Sequence, residues 1–237
     1  MIGSDLPGQA IPTKAAGPSG LRWRLTGRFT ARSRRRRFAE FMRLIRPAES
    51  DRILDVGVTD TAWRSGNFLE ANYPWPRRIT AVALKPMPAF EHQFPEVEFV
   101  VADGRALPFE RGVFDVGFSN AVVEHVGSRD QQAAFVGEML RTCRHVFIAT
   151  PNARFPIDPH TLLPFIHWLS PRLRYPLLRL FRQGRWAHEE MLNPLSAGAL
   201  LSLFPKDANV RLVRQRLFGL TTVLIAVASA SDVEDPA

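Results

Sequence analysis

An α/β fold built on a mostly parallel sheet is what this 237-residue sequence predicts. Residues 52–58 form a short apolar run, bounded by polar residues, in which Asp55 and Gly57 mark the exit. A run without polar alternation reads as a strand buried on both faces, as in a parallel sheet. Comparable runs follow at 78–84, 97–102, 114–119 and 145–150, and residues 129–141 carry helical spacing between the last two. Strands alternating with helical segments mean parallel neighbours joined by right-handed crossovers. Gly57 ends the first strand where backbone can approach a ligand, and crevices at strand carboxyl ends are where open α/β sheets bind nucleotides.

The flanking segments follow in chain order. Residues 1–20 are rich in Gly, Pro, Ser and Ala without periodicity, so residues 1–33 read as a disordered basic tail ahead of a single domain, 34–237. From 34 to 46, Phe38, Phe41, Met42, Leu44 and Ile45 recur at helical spacing with Arg35, Arg36, Arg37, Arg43 and Arg46 largely opposite. This predicts an entry helix packed across the sheet edge, with a membrane-surface anchor as the other use of such a face. Residues 61–73 read as a helix or a loop, and the third strand delivers Asp103. Residues 151–195 break the rhythm with seven prolines among aromatics and arginines. So long and apolar a segment is rarely a bare loop, and residues 153–193 read as a helical cap over the sheet's carboxyl edge. Residues 210–218 and 221–230, either side of Gly219, read as a closing antiparallel hairpin.

Composition narrows the function. The net charge of +8 lies entirely in residues 1–50, where eleven basic groups face three acids; the remaining chain holds 20 of each sign. A neutral body with a basic arm argues against nucleic-acid binding. Cys143 is the only cysteine, which excludes an internal disulfide and fits a reducing, cytoplasmic compartment. No apolar run reaches the roughly 20 residues of a spanning helix, and no signal-peptide pattern opens the chain. No His/Cys/Asp set has metal-ligand spacing, no Ser/His/Asp pattern argues for a hydrolase, and no G-x-G-x-x-G follows a strand.

The residues at the strand ends carry the chemistry. Asp55 and Gly57 in "LDVG", Asp103 and Gly104 in "ADGRALPFERGVFDVGFSN", Asn120 at that stretch's end, and Glu124 and His125 in "VVEHVG" stand in order, spaced by strand–helix units. This order resembles the class I S-adenosylmethionine-dependent methyltransferases of the small-molecule, type 11-like group over about residues 50–152, and again in the last hairpin. The resemblance implies a Rossmann-like, doubly wound sheet, mostly parallel with an antiparallel last strand. It implies Asp55 and Gly57 beside the cofactor's methionine and ribose, Asp103 and Gly104 at its adenine, Asn120 beside the sulfonium, and Glu124 and His125 facing the substrate. The family's further glycines are Thr59 and Thr61 here, and its acid after the second strand is missing from Ala83-Leu84-Lys85, with Glu70 or Asp60 as candidate replacements.

S-adenosyl-L-methionine is thus the expected cofactor, and no metal is expected. Methyl transfer is an in-line displacement that positioning and a modest base can drive, so the absence of a triad is no objection. His125 and His160 are the candidate catalytic residues, the second because Asp158 stands close enough to orient an imidazole. His167 and His188 read as structural or solvent-facing. The expected activity is methylation of an oxygen or nitrogen of a small, lipid-like or anionic acceptor in bacterial-type small-molecule metabolism, with peripheral membrane contact through the cap. The competing reading is a catalytically silent binding subunit with the same fold.

Overall fold

A computed structural model describes residues 21–60 and 66–230. Seven strands form one sheet: β1 (Ile53–Val56), β2 (Ile79–Ala83), β3 (Glu98–Val101), β4 (Phe114–Asn120), β5 (Cys143–Pro151), β6 (Val210–Leu217) and β7 (Leu220–Ser229), in the order β3-β2-β1-β4-β5-β7-β6. The first five are parallel, and β7 runs antiparallel to both β5 and β6. The chain moves outward from β1 through β2 to β3, then returns to lay β4 on the other side of β1. The strand order therefore reverses between β1 and β4, and a crevice opens there at the carboxyl ends.

The hydrophobic run of β1 and the alternation of β7 divide the core into two layers. One holds Phe41, Ile53, Phe118, Phe147 and Ile225 under α1 (Leu21–Ile45) and α2 (Pro88–Gln93). The other holds Leu54, Val56, Phe135, Met139 and Leu224 under α3 (Arg129–Thr142) and α5 (Ala197–Leu201). α3 starts where Ser128 and Gln131 form a reciprocal capping box. Phe41 meets the rings of Phe118 and Phe147 edge to face at 5.1 and 5.5 Å, so α1 covers a face of the sheet over β4 and β5 rather than its edge. Truncating that ring would cost about 3–5 kcal/mol.

Several expectations are corrected. Helix α1 begins at Leu21, so residues 21–33 are not a disordered tail. Once 34–45 is pinned by Phe41, extension costs no new nucleus, and no proline interrupts the chain between Pro18 and Pro47. Residues 1–20 lie outside the described residues. Strand β3 is a largely exposed edge strand rather than one buried on both faces. The stretch 66–73 forms turns, residues 61–65 lie outside the described residues, and the short α2 was not anticipated.

Between β5 and α5 the chain forms a small layer of its own. Ile166, Leu178 and Ala187 are buried among Leu163, Leu169, Tyr175 and Trp186, with α4 (Pro171–Leu180) as its main helix. Its return is clamped to α3: Gln132 donates to the Asn193 carbonyl at 2.8 Å, and Asn193 donates to the Gly127 carbonyl at 2.9 Å. Arg174 is buried against the Tyr175 ring.

Candidate active site

The β1–β4 crevice is built from strand ends. Gly57 follows β1 at φ +110°, donates to the Val82 carbonyl at 2.9 Å, and leaves room for nothing larger, because a Cβ would lie 2.1 Å from Val122 Cγ2. Its lack of a side chain thus serves close packing against the post-β4 turn as well as a left-handed backbone. That turn is bent by Ala121, whose φ of 57° is unfavourable for a side-chain-bearing residue and turns the chain back over the crevice. Where glycines were expected, Thr59 is held by Asn67: its N–H and hydroxyl donate to Asn67 Oδ1 at 2.9 and 3.1 Å, and Asn67 Nδ2 donates to the Thr59 carbonyl at 2.8 Å. The buried amide replaces glycine flexibility with a fixed loop. Thr61 lies outside the described residues.

The acids of the crevice differ in character. Asp55 is buried; desolvation first, then the neighbouring Glu70 carboxyl, pushes it well above the usual carboxylate range. Burial raises Glu70 too, opposed by a hydrogen bond shared with Asp55. Asp60, the other candidate replacement, is committed to the start of α2, where it accepts from the N–H groups of Ala89 and Phe90 at 2.7 and 3.1 Å. Asp103 stands half-exposed beyond β3, where hydrogen bonds from Arg105 hold its carboxyl below the usual range. Gly104 packs inward, with a hypothetical Cβ 2.7 Å from the Phe135 ring. Leu84 and Lys85 after β2 are exposed.

Arg37 of α1 was missed by sequence reading. It is 6% exposed, lies on the Phe68 ring, and donates through Nη1 to Asn120 Oδ1 at the end of β4. Burial, then the neighbouring Arg34, pulls its guanidinium down to about 10, while Glu124 acts in the opposite sense. The available signal was its spacing: Arg37 stands four residues before Phe41, on the core-facing stripe.

On the other side of the crevice the fold gathers residues distant in sequence. Glu124 is 1% exposed; its Oε2 accepts from Thr150 at 2.9 Å and its Oε1 has no donor among the described residues. His125 directs Nδ1 at the Met191 carbonyl, 2.7 Å away, and His160 directs Nδ1 at Asp158 Oδ1, 3.1 Å away. Their Nε2 atoms meet at 3.1 Å. Asp158 also takes His167 Nε2 at 2.8 Å and the N–H and hydroxyl of Thr161 at 2.7 and 2.6 Å. Burial opposes its charge, yet the hydrogen bonds from His160 and His167 hold Asp158 far below the usual range. Trp186 covers both catalytic candidates, 5.7 Å from His125 and 5.1 Å from His160 between ring centres. Beside this cluster lies an open groove of about 610 Å³, lined by Ala153, Arg154, His167, Trp168 and Ser196. His167 therefore belongs to the network behind the candidates. Cys143 plays no part, since burial pushes its thiol up to about 12.

Residues 59–146 match the profile of a methyltransferase-domain family. No curated protein sequence matches the chain. Among solved structures it is similar to N-methyltransferase NodS of Bradyrhizobium japonicum, with 14% identity over 84% of this chain and 96% of that one and a TM-score of 0.53. It is also similar to the 1,6-didemethyltoxoflavin-N1-methyltransferase of Burkholderia thailandensis, solved with 1,6-didemethyltoxoflavin and S-adenosylhomocysteine, at 16% identity over 84% and 78% and a TM-score of 0.55. A third, the geranyl diphosphate C-methyltransferase of Streptomyces coelicolor, gives 13%, 78%, 74% and 0.50. At such identities the likeness is one of fold. With this strand order the chain has a Rossmann-like methyltransferase fold, and its residues 59–146 are similar to a methyltransferase-domain family.

Proposed function

We propose that the chain transfers the methyl group of S-adenosylmethionine to an oxygen or nitrogen of a small, amphipathic acceptor held under the cap. The observation that carries this reading is the division of the carboxyl edge. Asp55, Glu70 and Asp103 stand on one side of the β1–β4 reversal, and His125 and His160, with both Nε2 atoms converging, stand on the other. The residues present fit the cofactor: the buried, hydrogen-bonded Asp55–Glu70 carboxyl pair suits hydroxyl or ammonium donors, Asp103 offers a partly exposed carboxylate for an amino group, and Leu84 offers an exposed apolar surface for a base. When bound, the cofactor supplies an electrophilic sulfonium methyl.

The chain's own residues then have separable tasks. The Asp55–Gly57 turn and Asn120 orient the donor, with Arg37 fixing Asn120. With the cofactor held there, an acceptor's lone pair would displace the sulfonium in line, the carbon–sulfur bonding pair staying on sulfur. The acceptor's proton passes to the His125–His160 pair, whose rings the Met191 carbonyl and Asp158 hold in position. A proton acceptor at this place favours a protic nucleophile, O–H or N–H. Phe165, Trp168 and Leu173 are exposed alongside Arg172, Arg179 and Arg182, a surface suited to a lipid-like or anionic acceptor and to the edge of an anionic membrane. The test is release of S-adenosylhomocysteine on incubation with a panel of hydroxyl and amine acceptors, neutral and anionic, with and without vesicles of anionic lipid at low salt. Turnover confined to carbon nucleophiles would contradict the reading, and turnover independent of vesicles would remove its membrane part.

A further inference from the structure

We infer that Glu124, His125 and His160 form a binding site for a first-row divalent transition metal ion, which takes the oxygen of the acceptor. The site lies in the acceptor half proposed above and deepens that reading, making the acceptor a hydroxyl compound. Four features of the structure converge on it. The ligand atoms of the three side chains lie within 4.8 Å of one another although Glu124 and His160 are 36 residues apart. Each imidazole faces an acceptor-only oxygen through Nδ1, the Met191 carbonyl for His125 and the Asp158 carboxylate for His160. That is how metal-binding histidines are usually held, with the tautomer fixed so that Nε2 presents a lone pair. With both tautomers fixed in this way, two lone pairs face each other at 3.1 Å and need a cation between them.

The third feature is Glu124 Oε1. It is buried, no donor among the described residues reaches it, and it stands 4.0 Å from His125 Nε2, while Thr150 holds the other oxygen of the carboxylate. A buried carboxylate oxygen without a partner is costly, and a cation in the adjoining space removes that cost. The fourth is an adjoining void of about 10 Å³ bounded in part by Glu124, Asp158, His160 and His167, which is room for one small ion.

The geometry fits a metal that accepts nitrogen. With metal–nitrogen bonds of about 2.0–2.1 Å, two nitrogens at the observed spacing subtend roughly 95–100°, between octahedral and tetrahedral angles. Glu124 completes a two-histidine, one-carboxylate set by moving in by about an ångström, leaving open positions for an oxygen. Imidazole donors favour zinc, iron, cobalt or nickel over magnesium or calcium. An ion there would hold the acceptor's hydroxyl oxygen and lower its pKa. The histidines would then hold the ion in place of the proton, and the hydroxyl proton would leave to water before attack on the methyl group.

The experiment is titration of the full, tag-free, chelator-treated chain with Co(II) alone, read by its visible absorption and by calorimetry, with S-adenosylmethionine binding measured on the same samples. One equivalent of Co(II) should bind and be displaced by Zn(II) but not by Mg(II). Asp158→Asn should weaken it by roughly 10–100-fold, the usual cost of losing a ligand's orienting partner, and His125→Gln and His160→Gln by more. Absence of Co(II) binding by a chain that takes up S-adenosylmethionine would overturn the metal site, leaving a shared proton between the rings and the methyl-transfer reading intact. Binding unchanged in both histidine variants would overturn it as well. Co(II) binding without S-adenosylmethionine binding would support the metal site while contradicting the proposed function.

Discussion

The two sides of the β1–β4 crevice are made in different ways. On the proposed donor side, Asp55, Gly57 and Asp103 occupy their places because they end strands or follow them directly, so local backbone fixes them once the sheet forms. On the proposed acceptor side, His125, Asp158, His160, Trp186 and Met191 come from four separate stretches, and a chain of hydrogen bonds and ring contacts fixes them. A site made of strand ends is as stable as the sheet. A site made of loops depends on its polar network, and a defect there loosens geometry before it loosens the fold.

The largest effect expected from breaking this contrast is Gly57→Val. The added carbon meets Val122 at van der Waals-forbidden distance in a left-handed backbone, and backbone strain alone costs about 1–3 kcal/mol. Melting temperature and S-adenosylmethionine binding should fall together. A variant that melts like the parent would show that the turn adapts.

His160→Ala should lower turnover by about 10²–10⁴-fold, the usual worth of a positioned proton acceptor, with melting temperature nearly unchanged. Steady-state and melting measurements on the same preparation check this. A turnover loss of only a few-fold would remove His160 from the chemistry.

How much of this contrast can be read from sequence follows from the same distinction. Asp55, Gly57, Asp103 and Asn120 are legible because a short apolar run that gives way to an acid, an amide or a glycine marks a strand's exit wherever the strand lies. The closing hairpin is legible for the same reason. Arg37 was assigned to solvent because arginines surround it; its position relative to Phe41 outranks its charge, since the helix buries a face rather than a residue type. Asn67 gave no signal, because its bonds to Thr59 depend on how the loop closes. The meeting of Glu124, His125 and His160 is a property of the cap's path, which no local spacing encodes. The length of α1 was underestimated because composition describes the tail while cooperativity extends the helix.

A smaller effect, of opposite sign, is expected from Asp55→Asn. Its folded pKa is raised above the unfolded value near 3.9, so the native chain binds the proton more tightly and stability falls as pH rises through that raised value. The amide keeps the shape and removes the charge. The variant should melt higher than the parent at neutral pH, by about 2–4 °C for each kcal/mol released, and this gain should vanish below about pH 4. It should also bind S-adenosylmethionine more weakly, which makes the acid a functional cost to the fold. Thermal melts from pH 3 to 8 check the sign, and a gain that grows toward acid pH would contradict it.

The separation of the two halves is tested most directly by titrating S-adenosylmethionine into the parent, Asp103→Ala and His160→Ala by calorimetry under one buffer. The account predicts a loss of about 10–100-fold for Asp103→Ala, the loss of a hydrogen bond to a charged group, and affinity within a few-fold of the parent for His160→Ala. Equal binding by Asp103→Ala and the parent, or a comparable loss in both variants, would contradict a donor site formed by strand ends and separate from the histidine cluster.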